Sequence, residues 1–435
     1  MSISKLITSN LFKSSLIYTF CDAINKAVPF LILPLLSYYL VPGDYGIIAN
    51  FNVLLAIVTI FIMIGVDGAI SVNYYKFTKD DLARYIFNAC LLTSIMTVAI
   101  IIIFSLFHHL VYEFVKVPRH YLFLLVLMAF GATITSINLS LWRLEEKALN
   151  FGVYEISQTV VNIGISLLLV ISYNMGWAGR VDGMLVAAMS FGLFSLILLY
   201  RRGYLKINVD KLYIKDILYF GIPLIPHALS FWIRSGIDRI YITKFINESA
   251  TGLYATGFQF GTLVSFLTLS FNNAFTPYLY KSLSADNPEE LNQNKIKLVK
   301  ITYFGIGVLI ITCLLFTLCS NFILETFFSS KYIQAKEFVF WAILSQTFQG
   351  MYLLFVNYIF FAKQTKALAS ITFFCACLQL VLSYFAIKTY GPLGGAYSTV
   401  IISFVNFIMV AFFSNKVYNM PWLLFLERGK VKTKK

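Results

Sequence analysis

Twelve apolar stretches, each about 20 residues or longer, constrain this chain more than any other feature of its sequence. They lie at residues 13–40, 45–70, 84–107, 120–141, 152–173, 181–200, 216–242, 251–275, 300–324, 337–361, 368–388 and 391–414. A helix of about 20 apolar residues crosses the hydrocarbon core of a bilayer. It also satisfies all of its backbone polar groups internally, as lipid requires. The stretches therefore predict an all-α integral membrane protein with twelve transmembrane helices.

The composition agrees with a chain whose surface faces lipid. Hydrophobic residues make up 59% of the sequence and charged residues only 12%, which is about half the charged share of a soluble domain. The first apolar run is longer than the core of a secretory signal peptide, and no small-residue cleavage motif follows it. We therefore expect this run to remain in the mature protein as the first span.

Basic residues are distributed unevenly between the two sides of the predicted bundle. Of the 34 Lys and Arg residues, 24 fall at the N-terminus, in even-numbered loops or in the C-terminal tail, whereas seven fall in odd-numbered loops. Loops rich in Lys and Arg stay on the cytoplasmic side of a membrane. The asymmetry predicts that both termini are cytoplasmic, and it explains the net charge of +14 without a nucleic-acid partner.

A basic cluster in the middle of the chain divides the spans into two groups of six. The predicted parts are an N-terminal lobe at 1–200, a cytoplasmic linker at 201–215, a C-terminal lobe at 216–414 and a basic cytoplasmic tail at 415–435. A short match between the two groups aligns Gly46 with Gly252. Because six spans return the chain to the same side, the lobes run parallel. We expect them to surround a central cavity.

The first span concentrates polar residues on one face. Asp22, Asn25 and Lys26 are three and four residues apart, which places them on the same side of a helix. Pro29 and Pro34 follow, and prolines inside a span kink the helix or leave carbonyl groups free for a cavity. Because an ionisable group at bilayer depth costs about 3 kcal/mol on insertion scales, we expect this face to line a cavity.

The seventh span repeats this pattern at the start of the second group. It contains Pro223 and Pro226, followed by His227, Arg234 and Asp238 on one helical face. Polar, proline-interrupted spans at corresponding places in two halves of a transporter indicate its binding site. A second interpretation stays open, in which the oppositely charged residues one turn apart in both spans only neutralise each other for packing.

The cysteines predict neither a disulfide nor a metal site. All six lie inside apolar runs, and none forms a Cys-x-x-Cys motif or a Cys/His cluster with metal-ligand spacing. Cysteine in such surroundings behaves as a small apolar residue. We expect no metal and no cofactor.

The junction Leu40-Val41-Pro42-Gly43-Asp44-Tyr45-Gly46, the amphipathic first span and the two-lobed layout of twelve spans resemble a known family. They are similar to the Wzx-type polysaccharide flippases of the multidrug/oligosaccharidyl-lipid/polysaccharide (MOP) exporter superfamily. The resemblance implies a protein of the bacterial inner membrane, not an enzyme. It would move an undecaprenyl-diphosphate-linked repeat unit of O-antigen or a similar surface polysaccharide from the cytoplasmic to the periplasmic leaflet.

The same resemblance implies a role in lipopolysaccharide biosynthesis and a set of partners. These are the lipid-linked glycan, the membrane lipids and a polysaccharide polymerase or chain-length complex, with the flippase itself expected as a monomer. Transport would proceed by alternating access of the two lobes. Lys26 and Arg234 would hold the diphosphate, because an Arg grips phosphate oxygens in pairs and a Lys acts as a point charge. Asp22 and Asp238 lie one turn from these cations and would partly neutralise them.

Further polar residues in the spans complete the predicted site. Amide side chains supply the donors and acceptors that sugar hydroxyl groups need, although amides also join helices in lipid. The expected sugar-binding residues are Asn25, Gln158, Asn162, Gln259, Asn273, Gln346 and Gln349. Carboxylates and imidazoles inside a membrane can titrate near neutral pH and couple transport to ions. The candidates for proton or sodium coupling are Asp22, Asp67, Asp238, His227 and Glu155.

Three other functions stay open at this stage. A multidrug or organic-cation antiporter of the same superfamily needs an acidic cavity, whereas the charges predicted inside the spans are balanced. A membrane-bound glycan polymerase or ligase usually presents a large periplasmic loop, whereas the outward loops here are short. A scaffold for a glycan-assembly complex would use the lysine-rich tail, whose simpler role is to bind anionic lipid.

Overall fold

The structure is a computed structural model that describes residues 10–422, apart from the side chains of residues 10–16, 19, 22, 23, 26 and 29. The helices of the first part are α1 (Asn10–Tyr39), α2 (Pro42–Met63), α3 (Val66–Asn73), α4 (Lys79–Val115), α5 (Arg119–Leu144), α6 (Ala148–Leu167) and α7 (Gly176–Arg201). They are followed by α8 (Lys211–Gly221), α9 (Ile225–Phe245), α10 (Glu248–Leu283), α11 (Pro288–Phe327), α12 (Lys336–Phe361), α13 (Thr365–Tyr390) and α14 (Pro392–Val417). Short π- and 3₁₀-helical turns lie at Leu168–Ser172, Ile222–Leu224 and Ser330–Ala335.

The predicted all-α membrane fold is confirmed. Within residues 10–422, ten helical segments are long and apolar enough to cross a membrane. The first predicted span lies in α1, of which Phe30–Tyr39 is a shorter apolar segment. The eighth lies in α10, which has 36 residues but interrupts its apolar run with Ser, Thr, Gln and Asn. A helix therefore occupies each of the twelve predicted positions.

The start of α2 explains the motif that carried the family resemblance. Val41 is extended, Pro42 occupies the first turn and the Asp44 carboxylate accepts a hydrogen bond from the Val41 backbone N–H at 3.2 Å. Proline suits this position because the first helical N–H groups lack partners inside the helix. A carboxylate there satisfies one such group and favours the positive end of the helix dipole.

The described backbone forms two compact units. The first contains the described residues up to Thr256 together with Phe327–Ile333 and Ser383–Gly395, and the second contains Gly257–Thr326, Gln334–Leu382 and the described residues from Ala396 onward. The division into lobes at residues 201–215 stays a prediction, so each unit is described by itself.

The two glycines that the internal match aligns lie against each other in the first unit. A methyl group added to Gly46 would stand 1.9 Å from the Glu248 carbonyl oxygen, and one added to Gly252 would stand 1.8 Å from the Pro42 carbonyl oxygen. Only glycine allows the backbones of α2 and α10 to approach this closely. In lipid, small residues commonly permit such helix contacts.

The segment between α7 and α8 is attached to the first unit along its length. The Glu145 carboxylate accepts hydrogen bonds from Arg202 at 2.7 Å and Tyr204 at 2.5 Å and pairs with Lys147 at 2.9 Å. Burial raises the pKa of Glu145, but the hydrogen bonds from Tyr204, Lys147 and Arg202 outweigh it and hold the pKa below its ordinary value. The predicted linker is therefore an ordered part of this unit.

Further along this segment, the Asn88 side chain of α4 makes two contacts with its backbone. It donates to the Asn208 carbonyl at 2.7 Å and accepts from the Asp210 N–H at 3.0 Å. Asp210 in turn caps α8 by accepting from the Leu212 N–H at 2.8 Å. A buried amide thus fixes the path of the chain into the seventh span, because it pairs backbone groups that would otherwise be unsatisfied.

In the second unit, α10 and α12 are packed through small residues. Methyl groups added to Gly257 and Gly261 would stand 2.7 Å from the Phe338 Cβ atom and 2.9 Å from the Ala342 carbonyl oxygen, respectively. Further along, Asn357 donates to the Asn272 side chain at 2.8 Å. Close backbone approach and a buried amide contact are the usual means of joining helices in lipid.

Candidate functional site

The second and seventh spans are both interrupted, and the two interruptions are in contact. Between α2 and α3, Ile64 and Gly65 have φ angles of 41° and 64°. The seventh span changes from α8 to α9 through the 3₁₀ turn Ile222–Leu224. A methyl group on Gly221 would stand 1.8 Å from the Ile64 carbonyl oxygen. The interruption at Pro223 agrees with the sequence analysis, whereas the one at Ile64–Gly65 was not predicted.

The interruption of the second span gives Asp67 a special position. Asp67 is half-buried and lies in the first turn of α3. The positive end of a helix dipole stabilises a carboxylate at this position. Broken helices expose such ends at the binding sites of membrane transporters. The first span is not interrupted in this way, because α1 continues through the positions of Pro29 and Pro34.

The polar face of α9 is divided between buried and exposed groups. Ser230 is buried and donates to the Pro226 carbonyl at 2.8 Å. Asp238 is also buried, and its carboxylate accepts a hydrogen bond from the Tyr254 hydroxyl of α10 at 3.2 Å. Arg234 is half-buried, whereas His227 is exposed and meets Phe231 edge to face at 5.1 Å. Asp238 is therefore the most enclosed of the predicted coupling residues whose side chains the structure describes.

The first and fifth spans meet through predicted site residues. The Asn25 side chain accepts a hydrogen bond from the Thr159 hydroxyl, which lies one turn from Glu155 on α6. Glu155 and Gln158 are half-buried beside it. The side chains of Asp22 and Lys26 lie outside the described residues, so their roles stay predictions.

Arg180, one of the seven basic residues that the charge count assigned to odd-numbered loops, lies instead inside α7. The Arg180 guanidinium donates to the Asn162 side chain and to the Ser166 hydroxyl, each at 2.6 Å. Asn162 is one of the predicted sugar-binding residues, and here it orients a cation. The loop assignment was wrong because α7 begins at Gly176, before the apolar run itself.

A second arginine lies near the same place, on the face of α9 that packs against α2. The buried Nε atom of Arg239 has no hydrogen-bond partner among the described residues. Arg239 and Arg180 are both close enough to the Tyr45 hydroxyl to interact with it electrostatically. No carboxylate of the described chain lies within 4.0 Å of either guanidinium. Two partly buried cations without an acidic partner at one end of a membrane unit form a candidate anion site.

The predicted amides of the second unit have mixed surroundings. Gln346 accepts from the Ser265 hydroxyl at 2.5 Å, which joins α12 to α10. Gln259 and Gln349 are half-buried, whereas Asn273 is exposed. The contact of Gln346 is of the kind that joins helices, and the role of all four in sugar binding stays a prediction.

The described residues contain no group of three His, Cys, Asp or Glu side chains that could hold a metal ion. The polar side chains described above in the first unit are guanidinium groups, amides, hydroxyl groups and single carboxylates. Such groups can bind an anion and a hydroxylated ligand.

Solved structures define the class to which this fold belongs. The chain superposes on an inward-facing multidrug resistance MATE family transporter of the MOP superfamily with a TM-score of 0.69 and 17% identity, over 95% of this chain and 100% of that chain. It also superposes on the lipid II flippase MurJ in an inward closed conformation with a TM-score of 0.71 and 15% identity, over 97% of this chain and 93% of that chain. The chain thus shares its fold with a MOP-superfamily transporter and with a lipid II flippase.

Sequence comparison gives the family. The chain is 28% identical to a membrane protein of Haemophilus influenzae over 405 residues, covering 90% of this chain and 92% of that protein. It is 26% identical to the Lsg locus putative protein 1 of the same organism, covering 85% and 89% of the two chains. A family model described as polysaccharide biosynthesis protein matches residues 35–337. The chain belongs to this family, which confirms the resemblance noted from its sequence.

Proposed function

We propose that the chain is a flippase that moves undecaprenyl-diphosphate-linked oligosaccharide repeat units from the cytoplasmic to the periplasmic leaflet of a bacterial inner membrane. Its family is one of polysaccharide biosynthesis, and its fold is shared with a lipid II flippase. The observation that carries the proposal is the pair Arg180 and Arg239, two partly buried guanidiniums without an acidic partner among the described residues.

The charge of the head group explains why such a pair would be needed. A lipid diphosphate carries about two negative charges, and a charge that enters an apolar interior must be paired. An arginine offers five N–H donors in a planar fork that fits phosphate oxygens. A site for organic cations would need the opposite charge, so these two arginines favour the anionic substrate.

The arginines of α9 suggest an order of binding. Arg234 and Arg239 are five residues apart, which separates their Cα atoms by about 7.5 Å along the helix axis. Arg239 lies toward the end of the helix that is predicted to be periplasmic. The diphosphate would first meet Arg234 and the predicted partner Lys26, and then pass to Arg239 and Arg180 as the two predicted lobes change access.

The sugars and the coupling ion involve further residues. Asn25 and Gln158 lie on the first and fifth spans, where their amides can contact sugar hydroxyl groups. Asp238 and Asp67 have different surroundings. Asp238 is buried beside Tyr254, whereas Asp67 lies in the first turn of α3, after the break in the second span. Either carboxylate could bind the coupling proton or sodium ion.

The test is a strain that depends on this protein for its surface glycan. Replacing both arginines (Arg180→Ala with Arg239→Ala) removes charge-assisted hydrogen bonds to the diphosphate. Surface glycan and flipping of the lipid-linked repeat unit in proteoliposomes should fall by about tenfold or more. The matched control is Arg201→Ala, an exposed arginine at the far end of α7. The double Arg→Lys variant keeps both charges and should retain part of the activity.

Two results would contradict this proposal. One is normal glycan display by the double alanine variant at normal protein level in the membrane. The other is export of organic cations by the wild-type protein with no change in glycan display when the gene is deleted, which would assign the chain to the multidrug class of the same superfamily. That alternative is kept because the fold also matches a multidrug transporter.

A further inference from the structure

The first unit carries a groove on the outer surface of α5, α6 and α7, away from the polar residues of the candidate site. Its volume is about 460 Å³, within the range of small-molecule pockets. The lining residues are Trp142, Leu149, Asn150, Val153, Tyr154, Ser157, Phe191, Phe194 and Leu198. On α6 the groove extends from Leu149 to Ser157, which corresponds to about 12 Å of helix.

The groove is shaped and lined for an apolar chain. Leu149, Val153 and Phe194 form exposed walls, whereas Trp142 and Tyr154 are 5% exposed and form the floor. The Tyr154 hydroxyl donates a hydrogen bond to the Phe191 carbonyl at 2.5 Å and forms a second hydrogen bond with a serine hydroxyl of α7 at 2.6 Å. The floor therefore presents ring faces, which suit the methyl-branched carbon skeleton of an isoprenoid.

A cation lies beside the floor of this groove, because Arg143 directly follows Trp142 in the chain. The Arg143 guanidinium lies over the Phe151 ring at 5.1 Å and the Tyr18 ring at 5.9 Å, and both rings pack in one cluster with Trp142 and Tyr154. Arg143 is exposed and has no ion pair with a described residue. Stacking on the two rings fixes its direction, while the charge stays available to an anion.

The acidic residue nearest in sequence does not neutralise this cation. Glu145 is already engaged by Arg202, Lys147 and Tyr204. Glu146 lies close enough to the Tyr18 hydroxyl to act on it electrostatically, as Arg143 does, but it forms no ion pair with Arg143. A guanidinium without an ion pair to a described residue therefore lies next to the apolar groove. An ion-paired arginine at this position would have indicated structure only.

We propose that this groove docks the isoprenoid chain of the lipid-linked substrate, with Arg143 on its phosphate, before the head group enters the protein. The proposal rests on the proposed function, and it adds a loading site to it. The groove begins at the end of α5 and the start of α6, on the side predicted to be cytoplasmic, where the substrate is made. A glycan is a poor occupant, because only Asn150 and Ser157 offer polar side chains outside the floor.

The experiment uses the full-length protein in proteoliposomes and two photoreactive probes. One is a benzophenone-bearing polyprenyl diphosphate, and the other is a benzophenone-bearing phosphatidylglycerol, which represents an ordinary membrane lipid. Labelled peptides are then located by mass spectrometry. The polyprenyl probe is expected to label the α6 segment 149–157, and unlabelled polyprenyl diphosphate should compete about tenfold better than phosphatidylglycerol.

Two variants make the test specific. Val153→Trp places a large side chain in the groove at an exposed position of α6. Its control, Leu193→Trp, places the same side chain at an exposed position of α7 that does not line the groove. The first should reduce labelling by about fivefold and the second should leave it unchanged. Arg143→Gln should reduce labelling by the diphosphate probe by about fivefold while leaving labelling by a neutral polyprenol probe unchanged.

Equal labelling by both lipids, or labelling that Val153→Trp does not reduce, would overturn the proposal and identify the groove as a site for ordinary lipid. The readout is binding and not transport. If the Arg180 and Arg239 variants lose glycan display but the groove does not bind the polyprenyl probe, the flippase function is supported and the loading site is contradicted. If the groove binds the probe but glycan display does not depend on the protein, the proposed flippase function is contradicted, and the groove is a polyprenyl-binding site without that function.

Discussion

At the residue scale, the candidate anion site depends on Arg180 and Arg239, which form no ion pair with a described carboxylate. The sequence drew attention to Arg234 because it lies deep in an apolar run. It did not draw attention to Arg180, which precedes the apolar part of its span, and it gave Arg239 no role. In the structure both arginines lie close enough to the Tyr45 hydroxyl to act on it electrostatically, and Arg180 is oriented by Asn162 and Ser166. Which side chain faces which neighbour depends on helix packing, and no local pattern encodes it.

A prediction at this scale concerns Glu145. Its Glu145→Gln variant loses the charge that binds Arg202 and Lys147, so it should destabilise the protein by about 1–3 kcal/mol at neutral pH. The pKa of Glu145 is lowered in the folded state, so its contribution is complete above the ordinary carboxyl pKa of about 4.3 and is lost as the pH falls below that value. Thermal unfolding in detergent at pH 7 and at lower pH measures this.

The control for this prediction is the adjacent exposed residue, in the variant Glu146→Gln. It should unfold at the same temperature as the wild-type protein. The difference between wild type and Glu145→Gln should shrink as the pH is lowered. A difference that is constant with pH would show that the carboxylate charge does not hold the segment between α7 and α8.

At the scale of elements, the contact between two interrupted helices is the most specific feature of the first unit. The break at Ile64–Gly65 is favoured by glycine, which adopts a positive φ without strain. The opposite break contains Pro223, which removes a backbone donor, and Gly221, which lets the chains touch. The proline signal was visible in the sequence. The break at Gly65 could not be predicted from the sequence, because glycine is common in transmembrane helices and does not usually break them.

The variant Gly221→Ala tests this contact. Its methyl group would meet the Ile64 carbonyl at 1.8 Å, so α8 and α2 must separate. We expect a loss of about 1–3 kcal/mol of stability together with a fall in glycan display. The matched control is Gly164→Ala, at a glycine of α6 that has open space around it. Equal melting temperatures and equal glycan display for the two variants would contradict the importance of the contact.

At the scale of the whole molecule, the orientation in the membrane is the prediction with the widest consequences. The charge asymmetry of the loops predicts that both termini are cytoplasmic. Reporter fusions to the C-terminus should therefore show green fluorescence, whereas a periplasmic phosphatase reporter fused at the same point should be inactive. A fusion after Lys116, in a loop that is predicted to face outward, should give the opposite pattern. An active phosphatase at the C-terminus would reverse the proposed direction of transport and the side of the loading groove.

The sequence by itself determined that this chain is an all-α membrane protein, because hydropathy acts locally along the chain. Its resemblance to polysaccharide flippases agrees with the polysaccharide biosynthesis family to which the chain belongs. The sequence also indicated spans one and seven as polar, and Asp238 and Arg234 as candidates within them. Only the tertiary structure brought Gly46 against Gly252, set the two helix breaks in contact and placed Arg180 beside Asn162. Those contacts join residues that are far apart in the chain. In lipid, helices are not brought together by the hydrophobic effect, so the hydrophobic pattern of the sequence does not show which helix faces make contact. Close backbone approach and polar pairing decide them, and these depend on the shapes of both partners.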